Sequence, residues 1–244
     1  MPKARLDASL VDLGLAESRE KAKRYIMAGQ VKVNGHVVSK PASPVAPDDQ
    51  IELKSSSRFV SRGGDKLMGA VEAFGFDVNG QVCMDVGSST GGFTDCMLQH
   101  GALRVYAIDV GKAQLHWKLR DDDRVEVMES FNARYLTPAD LDDVPTRCTI
   151  DVSFISLTRI LPPVTEVLAS GGEIISLIKP QFEAGKDQVG KGGVVRDEEV
   201  RQAVIEKIRL FGQETCGLTW LGVETSPLKG PSGNVEFLGY WRKS

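Results

Sequence analysis

The chain has 244 residues, of which 41% are hydrophobic and 26% are charged, values that are typical of a globular protein and exclude a disordered or fibrous one. Its longest run without Asp, Glu, Lys or Arg is nine residues, too short for a membrane-spanning helix, and we expect no secretory signal in its polar N-terminal stretch. The four cysteines have neither CxxC spacing nor nearby histidine pairs, which predicts reduced cytoplasmic thiols and no metal site.

Charge is unevenly distributed along the chain, whose net charge is −3. Residues 1–66 contain 12 Lys+Arg and 8 Asp+Glu, net +4, and the remaining residues carry net −7. An excess of four cations is compatible with ordinary surface variation and also with a segment that binds a polyanion. The pattern of these charges is therefore more informative than their number.

The first fifty residues predict two short helices followed by a hairpin. Leucines from Leu6 to Leu13 have near-helical spacing, and Ser18 is typical of the N-cap of a second helix that ends before Gly29. Asn34-Gly35 lies between alternating apolar residues, which is a strong signal for a two-residue hairpin turn because both positions need a positive φ. A further strand is predicted at Ile51–Leu53.

The basic residues of this segment are candidates for phosphate contacts, although any single lysine among them could be an ordinary solvated side chain. The segment resembles the S4 RNA-binding domain in the strings Arg5-Leu6-Asp7, Gly14-Leu15, Ser18-Arg19, Gly29-x-Val31-x-Val33-Asn34-Gly35 and Lys40-Pro41. The resemblance implies recognition of structured RNA, often ribosomal, by shape and phosphate contacts. The candidate RNA-binding residues are Arg5, Arg19, Lys21, Arg24 and Lys32, with Arg58 and Arg62 farther along the chain.

A serine-rich stretch, Lys54–Arg58, separates this segment from the rest of the chain and predicts flexibility. We accordingly expect an S4 domain at residues 1–57, a linker at 58–63 and a second domain at 64–244. In the second domain, helical stretches alternate with short apolar strands, which predicts an α/β, Rossmann-like, doubly wound sheet of seven strands. The last two strands have no helix between them, so the final strand should be antiparallel. The predicted strands are 82–86, 104–109, 125–128, 148–152, 173–178, 218–223 and 235–240, and the predicted helices are 67–74, 92–100, 157–169 and 197–215.

A glycine-rich turn lies where the first of these strands ends and a helix begins. Its G-x-S-x-x-G spacing has Ser89 where a dinucleotide fingerprint has the glycine that lets backbone approach a pyrophosphate. This argues against NAD and for a ligand without diphosphate, such as S-adenosylmethionine. Asp109 closes the second strand, where a carboxylate would accept hydrogen bonds from ribose hydroxyls. Asp85 has a structural alternative, since it could also cap the turn. The candidate cofactor-binding residues are Asp85, Gly87, Ser88, Ser89, Thr90, Gly91, Phe93 and Asp109.

Two lysines and two acids are predicted to meet at the same edge of the sheet. Asp151 ends the fourth strand, Lys179 ends the fifth, and Glu236 lies near the start of the antiparallel last strand. Lys66 precedes the first helix of the domain. A lysine that follows an apolar strand and lies near a second cation can lose its proton and act as a base, so this set is compatible with proton transfer. A pair of structural salt bridges is the alternative.

Residues 60–244 resemble the FtsJ-like methyltransferases in the strings Phe59–Leu67, Asp151–Leu157 and Lys179–Glu183. An S4 domain joined to such a domain is similar to the TlyA family, which is named for haemolysin but regarded as ribosomal RNA 2′-O-methyltransferases. The resemblance implies S-adenosylmethionine as cofactor, no metal, and ribosomal RNA, with cytidine as the methylated nucleotide. It also implies a catalytic tetrad of Lys66, Asp151, Lys179 and Glu236 with Lys179 as the base, and a contact region for adenine at Ser130–Arg134, which includes Asn132.

Three other functions stay open at this point: a membrane-active haemolysin, a catalytically silent RNA-binding ribosome-assembly factor, and a methyltransferase that acts on protein or on a small molecule. The glycine-rich stretch 183–196 is a candidate mobile lid, with a plain surface loop as the alternative.

Overall fold

The computed structural model describes residues 3–53 and 58–244, and the chain divides into two compact units, Met1–Arg58 and Phe59–Ser244. Of the predicted flexible stretch Lys54–Arg58, residues 54–57 lie outside the described residues. Within the described ranges, no helix combines the length and the apolar character that a membrane crossing requires.

The first unit has the two helices and the hairpin that the sequence predicts. Ser18 Oγ accepts a hydrogen bond from the backbone N–H of Lys21, which confirms the N-cap of the second helix. Asn34 and Gly35 have φ of 51° and 79°, as a two-residue hairpin turn requires. Leu13 follows the end of the first helix and is 59% exposed, so it does not join the buried leucines. The elements are β1 (Ala4–Arg5), α1 (Leu6–Asp12), α2 (Arg19–Met27), β2 (Val31–Val33), β3 (His36–Val37), β4 (Pro44–Val45) and β5 (Ile51–Leu53).

The second unit is a seven-stranded sheet with helices on both faces. Its α-helices are α3 (Gly63–Phe74), α4 (Gly92–Gln99), α5 (Trp117–Arg120), α6 (Leu161–Val167), α7 (Pro180–Glu183) and α8 (Glu198–Cys216). Its strands are β6 (Val82–Val86), β7 (Arg104–Asp109), β8 (Val125–Glu129), β9 (Arg147–Ile150), β10 (Glu173–Ile178), β11 (Leu218–Thr225) and β12 (Phe237–Lys243). Side chains of α3 and α4 pack in one hydrophobic core, and those of α6 and α8 pack in another.

The strands lie side by side in the order β11-β12-β10-β9-β6-β7-β8. Strands β6 to β10 are parallel, and β12 lies antiparallel between β10 and β11. This arrangement confirms the predicted doubly wound sheet with an antiparallel last strand. It brings the carboxyl ends of five strands and the start of β12 to one edge of the sheet.

Some predicted boundaries are wrong, and the errors move site residues out of strands. Strand β9 ends at Ile150 and β12 begins at Phe237, so Asp151 and Glu236, the two acids predicted for the site, lie in loops next to the strands. The predicted helix 157–169 divides into a 3₁₀ turn at Leu157–Arg159 and helix α6. Two prolines occupy the first turn of α6, because a residue that lacks an N–H is tolerated only there.

Candidate active site

The glycine-rich turn and the segment after β9 are in direct contact at the carboxyl edge of the sheet. Gly87 has a φ of 87°, and a Cβ added to it would lie 2.5 Å from the carbonyl oxygen of Asp151. Only glycine fits this position, since it is the one residue that accepts both the left-handed conformation and the close backbone neighbour. The turn therefore holds the Asp151 segment at a fixed distance.

Two lysine–carboxylate pairs line one cavity of about 350 Å³ beside this turn. Lys179 Nζ lies 2.6 Å from Asp151 Oδ1, and Lys66 Nζ lies 2.6 Å from Glu236 Oε2. Sheet register accounts for part of this arrangement, because Ile178 pairs with Phe237 and their neighbours Lys179 and Glu236 follow at the same edge. The four predicted tetrad residues thus line the same cavity, and three of them are at most 11% exposed along the side chain.

The environment of Lys179 has three components. Its amine donates a hydrogen bond to Ser153 Oγ at 3.0 Å, and its nitrogen lies 5.9 Å from the centre of the Phe182 ring. The Asp151 contact is mainly electrostatic, since Asp151 Oδ1 is buried and accepts no directed hydrogen bond from any described residue. The amine is therefore held by charge on one side and by a directed hydrogen bond on another.

Glu236 is held on both of its carboxylate oxygens. Oε2 accepts from Lys66, and Oε1 lies 3.4 Å from the donating Nε2 of Gln181. A Cβ added to Gly230 would lie 2.4 Å from Oε1, so backbone closes over this oxygen. A carboxyl group that is 1% exposed would be costly to bury without such partners.

Asp85 contributes to the lining of the same cavity and is completely buried. Burial raises its pKa to about 7, against the opposing effect of hydrogen bonds from Thr94 and Thr149 and with a smaller upward contribution from Asp151. Its Oδ2 accepts from the backbone N–H and the hydroxyl of Thr94, and its Oδ1 accepts from the hydroxyl of Thr149. The carboxyl group thus joins β6, α4 and β9, as the turn-capping alternative requires, and a cofactor contact from it stays a prediction.

A second cavity, of about 340 Å³, lies on the other side of the glycine turn. Its walls are largely apolar, and its polar lining includes Asp109 and Asn132. Asp109 accepts hydrogen bonds from the backbone N–H groups of Ser89, at 2.8 Å, and Gly111, at 2.7 Å. Its orientation is fixed by these bonds, and each carboxylate oxygen retains acceptor capacity for a hydroxyl. A largely apolar cavity with a carboxylate in its lining fits an adenosine group.

The remaining predicted cofactor residues are divided between the cavity lining and the packing around it. Ser88, Ser89, Thr90 and Phe93 line the first cavity, beside Gly87. Gly91 does not line it; a Cβ there would lie 2.2 Å from the side chain of Leu119, so this glycine allows close packing of α5.

Glu129, at the end of β8, holds the backbone of a loop beside the site and was not predicted from the sequence. Its carboxylate accepts from the backbone N–H groups of Ala113, Gln114 and Leu115, and it pairs with Arg120. The Arg120 guanidinium, with these N–H groups, lowers the pKa of Glu129 to about 2. The carboxylate of Glu129 therefore fixes the loop that follows Asp109. No sequence motif marks this residue.

A third cavity, of about 350 Å³, adjoins Lys179 and contains two aromatic rings. Phe154 is 91% exposed and has a φ of 63°, and its ring centre lies 5.0 Å from that of Phe182. A phenylalanine in the left-handed region is unusual, and such backbone strain is concentrated at functional sites. Sequence reasoning missed Phe154 because no residue type in its neighbourhood predicts a positive φ.

Glu183 braces the segment that carries Asp151 and Phe154. Its carboxylate accepts from Ser156 Oγ and from the backbone N–H of Leu157, both at 2.6 Å, and burial raises its pKa. The segments after β9 and after β10 are therefore tied to each other at a second point, beyond the Lys179–Asp151 pair.

The predicted lid at 183–196 is a loop with an isolated bridge between Gly190 and Val194. The side chain of the buried Asn234 makes two hydrogen bonds to this loop. Asn234 Nδ2 donates to the carbonyl of Gly193 at 2.8 Å, and Asn234 Oδ1 accepts from the N–H of Val195 at 3.0 Å. A lid movement stays a prediction. No group of three or more His, Cys, Asp or Glu side chains suited to a metal ion is found in the described parts of the chain.

In the first unit, the predicted RNA-binding residues differ in their surroundings. Arg5 and Arg19 both pair with the buried carboxylate of Asp7, at 2.9 and 3.3 Å, and the pKa of Asp7 is lowered to about 2, chiefly by the Arg5 hydrogen bond. Lys21 pairs with Glu17 on the surface of α2. Arg24 and Lys32 are exposed, as are Arg58 and Arg62, the last of which lines the first cavity of the second unit.

Comparison with known proteins finds two family matches and relatives that span nearly the whole chain. The model of the FtsJ-like methyltransferases matches residues 59–243, and that of the S4 domain matches residues 4–51. The 16S/23S rRNA (cytidine-2′-O)-methyltransferase TlyA of Mycobacterium tuberculosis is 46% identical over 242 residues, covering 98% of this chain and 90% of that protein. Hemolysin A of Brachyspira hyodysenteriae is 42% identical over 238 residues, covering 97% and 99%. A structure from Streptococcus thermophilus that carries a hemolysin name aligns with a TM-score of 0.77 at 46% identity, covering 100% and 90%.

Proposed function

The chain belongs to the FtsJ-like methyltransferases and carries an S4 domain, and we propose that it transfers a methyl group from S-adenosylmethionine to the 2′-hydroxyl of a cytidine in ribosomal RNA. The observation that carries the proposal is the meeting of the Lys179–Asp151 and Lys66–Glu236 pairs in one cavity beside the glycine-rich turn. The name of the Mycobacterium tuberculosis relative supports the choice of RNA, position and nucleotide.

The two cavities on either side of the glycine turn fit the cofactor. The largely apolar cavity with Asp109 and Asn132 would take the adenosine part, and the cavity with Ser88 and Thr90 would take the amino-acid part. When bound, S-adenosylmethionine supplies an electrophilic methyl group on a positively charged sulfur. Because both cavities share Gly87 and Asp151, the reacting centre would lie where they meet.

In this mechanism, Lys179 is the base and the other three tetrad residues set its surroundings. A neutral Lys179 would take the proton of the 2′-hydroxyl as that oxygen attacks, and the bound cofactor would supply the methyl group and leave as its neutral thioether. Asp151 stabilises the ammonium that results, at a distance of 2.6 Å. Lys66, oriented by Glu236, stabilises negative charge that develops on the attacking oxygen.

The third cavity would hold the acceptor nucleotide. It shares Lys179 and Glu236 with the first cavity, and the faces of Phe154 and Phe182 line it. A ribose reaches such a recess only when the nucleotide is turned out of its helix, and an aromatic surface compensates for part of the lost base stacking. The cations of the S4 domain would supply the sequence-independent part of RNA affinity.

The decisive experiment supplies purified protein and methyl-labelled S-adenosylmethionine to ribosomal RNA and to ribosomal subunits from a strain that lacks this protein. We expect label in 2′-O-methylcytidine, located by mass spectrometry, and loss of that mark in the deletion strain. Lys179→Ala should abolish transfer while cofactor affinity stays within about threefold; equal loss of both would make Lys179 structural. RNA binding without transfer would favour an assembly factor, and lysis of red cells without RNA or cofactor would favour a haemolysin.

A further inference from the structure

We propose that Ser153 is a positioning residue for Lys179, fixing the rotation of its amine so that the nitrogen lone pair faces the hydroxyl to be methylated. This inference rests on the proposed function. Ser153 was not among the residues that the sequence predicts for the site.

The hydrogen bonding of the lysine carries the inference. A primary amine rotates freely about its Cε–Nζ bond unless a directed hydrogen bond fixes it. Among the described residues, Lys179 makes one such bond, to Ser153 Oγ at 3.0 Å. The Asp151 carboxylate attracts the amine from 2.6 Å but lacks the geometry of a directed hydrogen bond, so it positions the nitrogen and constrains its rotation less than Ser153 does.

The valences of the nitrogen explain why rotation matters. A neutral amine has two N–H bonds and one lone pair. With one N–H held on Ser153 and the negative charge of Asp151 favouring an N–H on its side, the lone pair takes the third direction. A base whose lone pair points elsewhere cannot accept the proton while the new bond forms, so orientation contributes directly to the rate.

The segment that carries Ser153 is rigid enough for this task. Asp151 N–H donates to the carbonyl of Val86 at 2.9 Å, and Glu183 holds the other end through Ser156 and Leu157. Between these anchors, Ser153 contributes to the lining of all three cavities. Its hydroxyl is thus held at the point where cofactor, acceptor and base would meet.

The test compares Ser153→Ala with Ser153→Thr in the full-length protein. Ser153 is exposed, so removal of its hydroxyl leaves no buried cavity, and the melting temperature should stay unchanged. We expect Ser153→Ala to lower kcat about tenfold, with KM for ribosomal RNA and Kd for S-adenosylmethionine within about twofold of wild type. Ser153→Thr, which keeps the hydroxyl, should recover kcat to within about threefold of wild type.

A matched control is Ser170→Ala, because Ser170 is also exposed and makes one hydrogen bond, to Ser244, away from the cavities. An unchanged kcat in Ser153→Ala would refute the inference, and so would a loss that Ser153→Thr shares, or a change in KM or Kd in place of kcat. Those outcomes presuppose an active wild type. A wild type that transfers no methyl group to ribosomal RNA would refute the proposed function, and this inference with it.

Discussion

Lys66 and Glu236 are 170 positions apart in the sequence, and their side chains meet with 2.6 Å between Nζ and Oε2. The pair joins the first helix of the catalytic domain to the start of its last strand, at the cavity that contains Lys179. The site is therefore complete only when the two ends of the domain have folded together.

Removing the cation from this pair should destabilise the protein more than removing both charges. In Lys66→Ala, the carboxylate of Glu236 stays buried, and its one remaining contact among the described residues is the long one to Gln181. We expect the free energy of unfolding to fall by about 3 kcal/mol. In the double variant Lys66→Ala/Glu236→Gln, part of this loss should be recovered, because no unpaired charge remains. Urea denaturation measures both effects.

Lys118→Ala is a suitable control for that comparison. Lys118 is 60% exposed and lies 3.8 Å from Asp95, so its removal should change stability by less than about 1 kcal/mol. A Lys66→Ala variant as stable as this control would show that the Lys66–Glu236 pair contributes no stability.

The sequence predicted the parts of the site that depend on strand order, and missed the parts that depend on packing between loops. Asp151 and Lys179 could be assigned to one edge because parallel strands end at the same side of a sheet. Gly87 was predicted to contact the cofactor, yet the structure also puts the Asp151 carbonyl where its side chain would be. Ser153 and Glu183 were missed, since their partners come from other loops and leave no periodic signal.

Asp109 should contribute to cofactor affinity both directly and through the turn. Its carboxylate holds the backbone of Ser89 and Gly111 and lines the cavity proposed for adenosine. We expect Asp109→Ala to weaken binding of S-adenosylmethionine about 10- to 100-fold, as the loss of a charged hydrogen-bond acceptor implies. Isothermal titration calorimetry measures the change, and Asp123→Ala, at an exposed carboxylate outside the cavities, is the control.

The exposed cations of the S4 domain should govern the salt dependence of RNA binding. Arg24 and Lys32 have no carboxylate partner among the described residues, whereas Arg5 and Arg19 are paired with Asp7. If each contacts one phosphate, the double variant Arg24→Ala/Lys32→Ala should reduce the slope of log K against log salt by about 1.4 to 1.8. Filter binding to ribosomal RNA measures the slope. Arg209→Ala, which removes a cation on α8, should leave it unchanged.

Asp85 predicts an unusual dependence of stability on pH. Its pKa in the folded protein is about 7, above the ordinary 3.8, because the carboxyl group is completely buried. The folded state therefore holds this proton more tightly than the unfolded state does. The contribution of Asp85 to stability is largest below about pH 4 and decreases as pH rises to about 7.

Urea denaturation without cofactor at pH 5 and at pH 8 tests this dependence. Wild type should be more stable at pH 5, by an amount on the order of 1–3 kcal/mol, and Asp85→Asn should lose most of the difference. Asparagine can keep both contacts of the carboxyl group, since its oxygen accepts from Thr94 and one N–H of its amide donates to the Thr149 hydroxyl. The control is Asp123→Asn, which should keep the wild-type difference in stability between pH 5 and pH 8. If Asp85→Asn keeps the same difference, the effect comes from other groups and Asp85 is ionised in the folded protein.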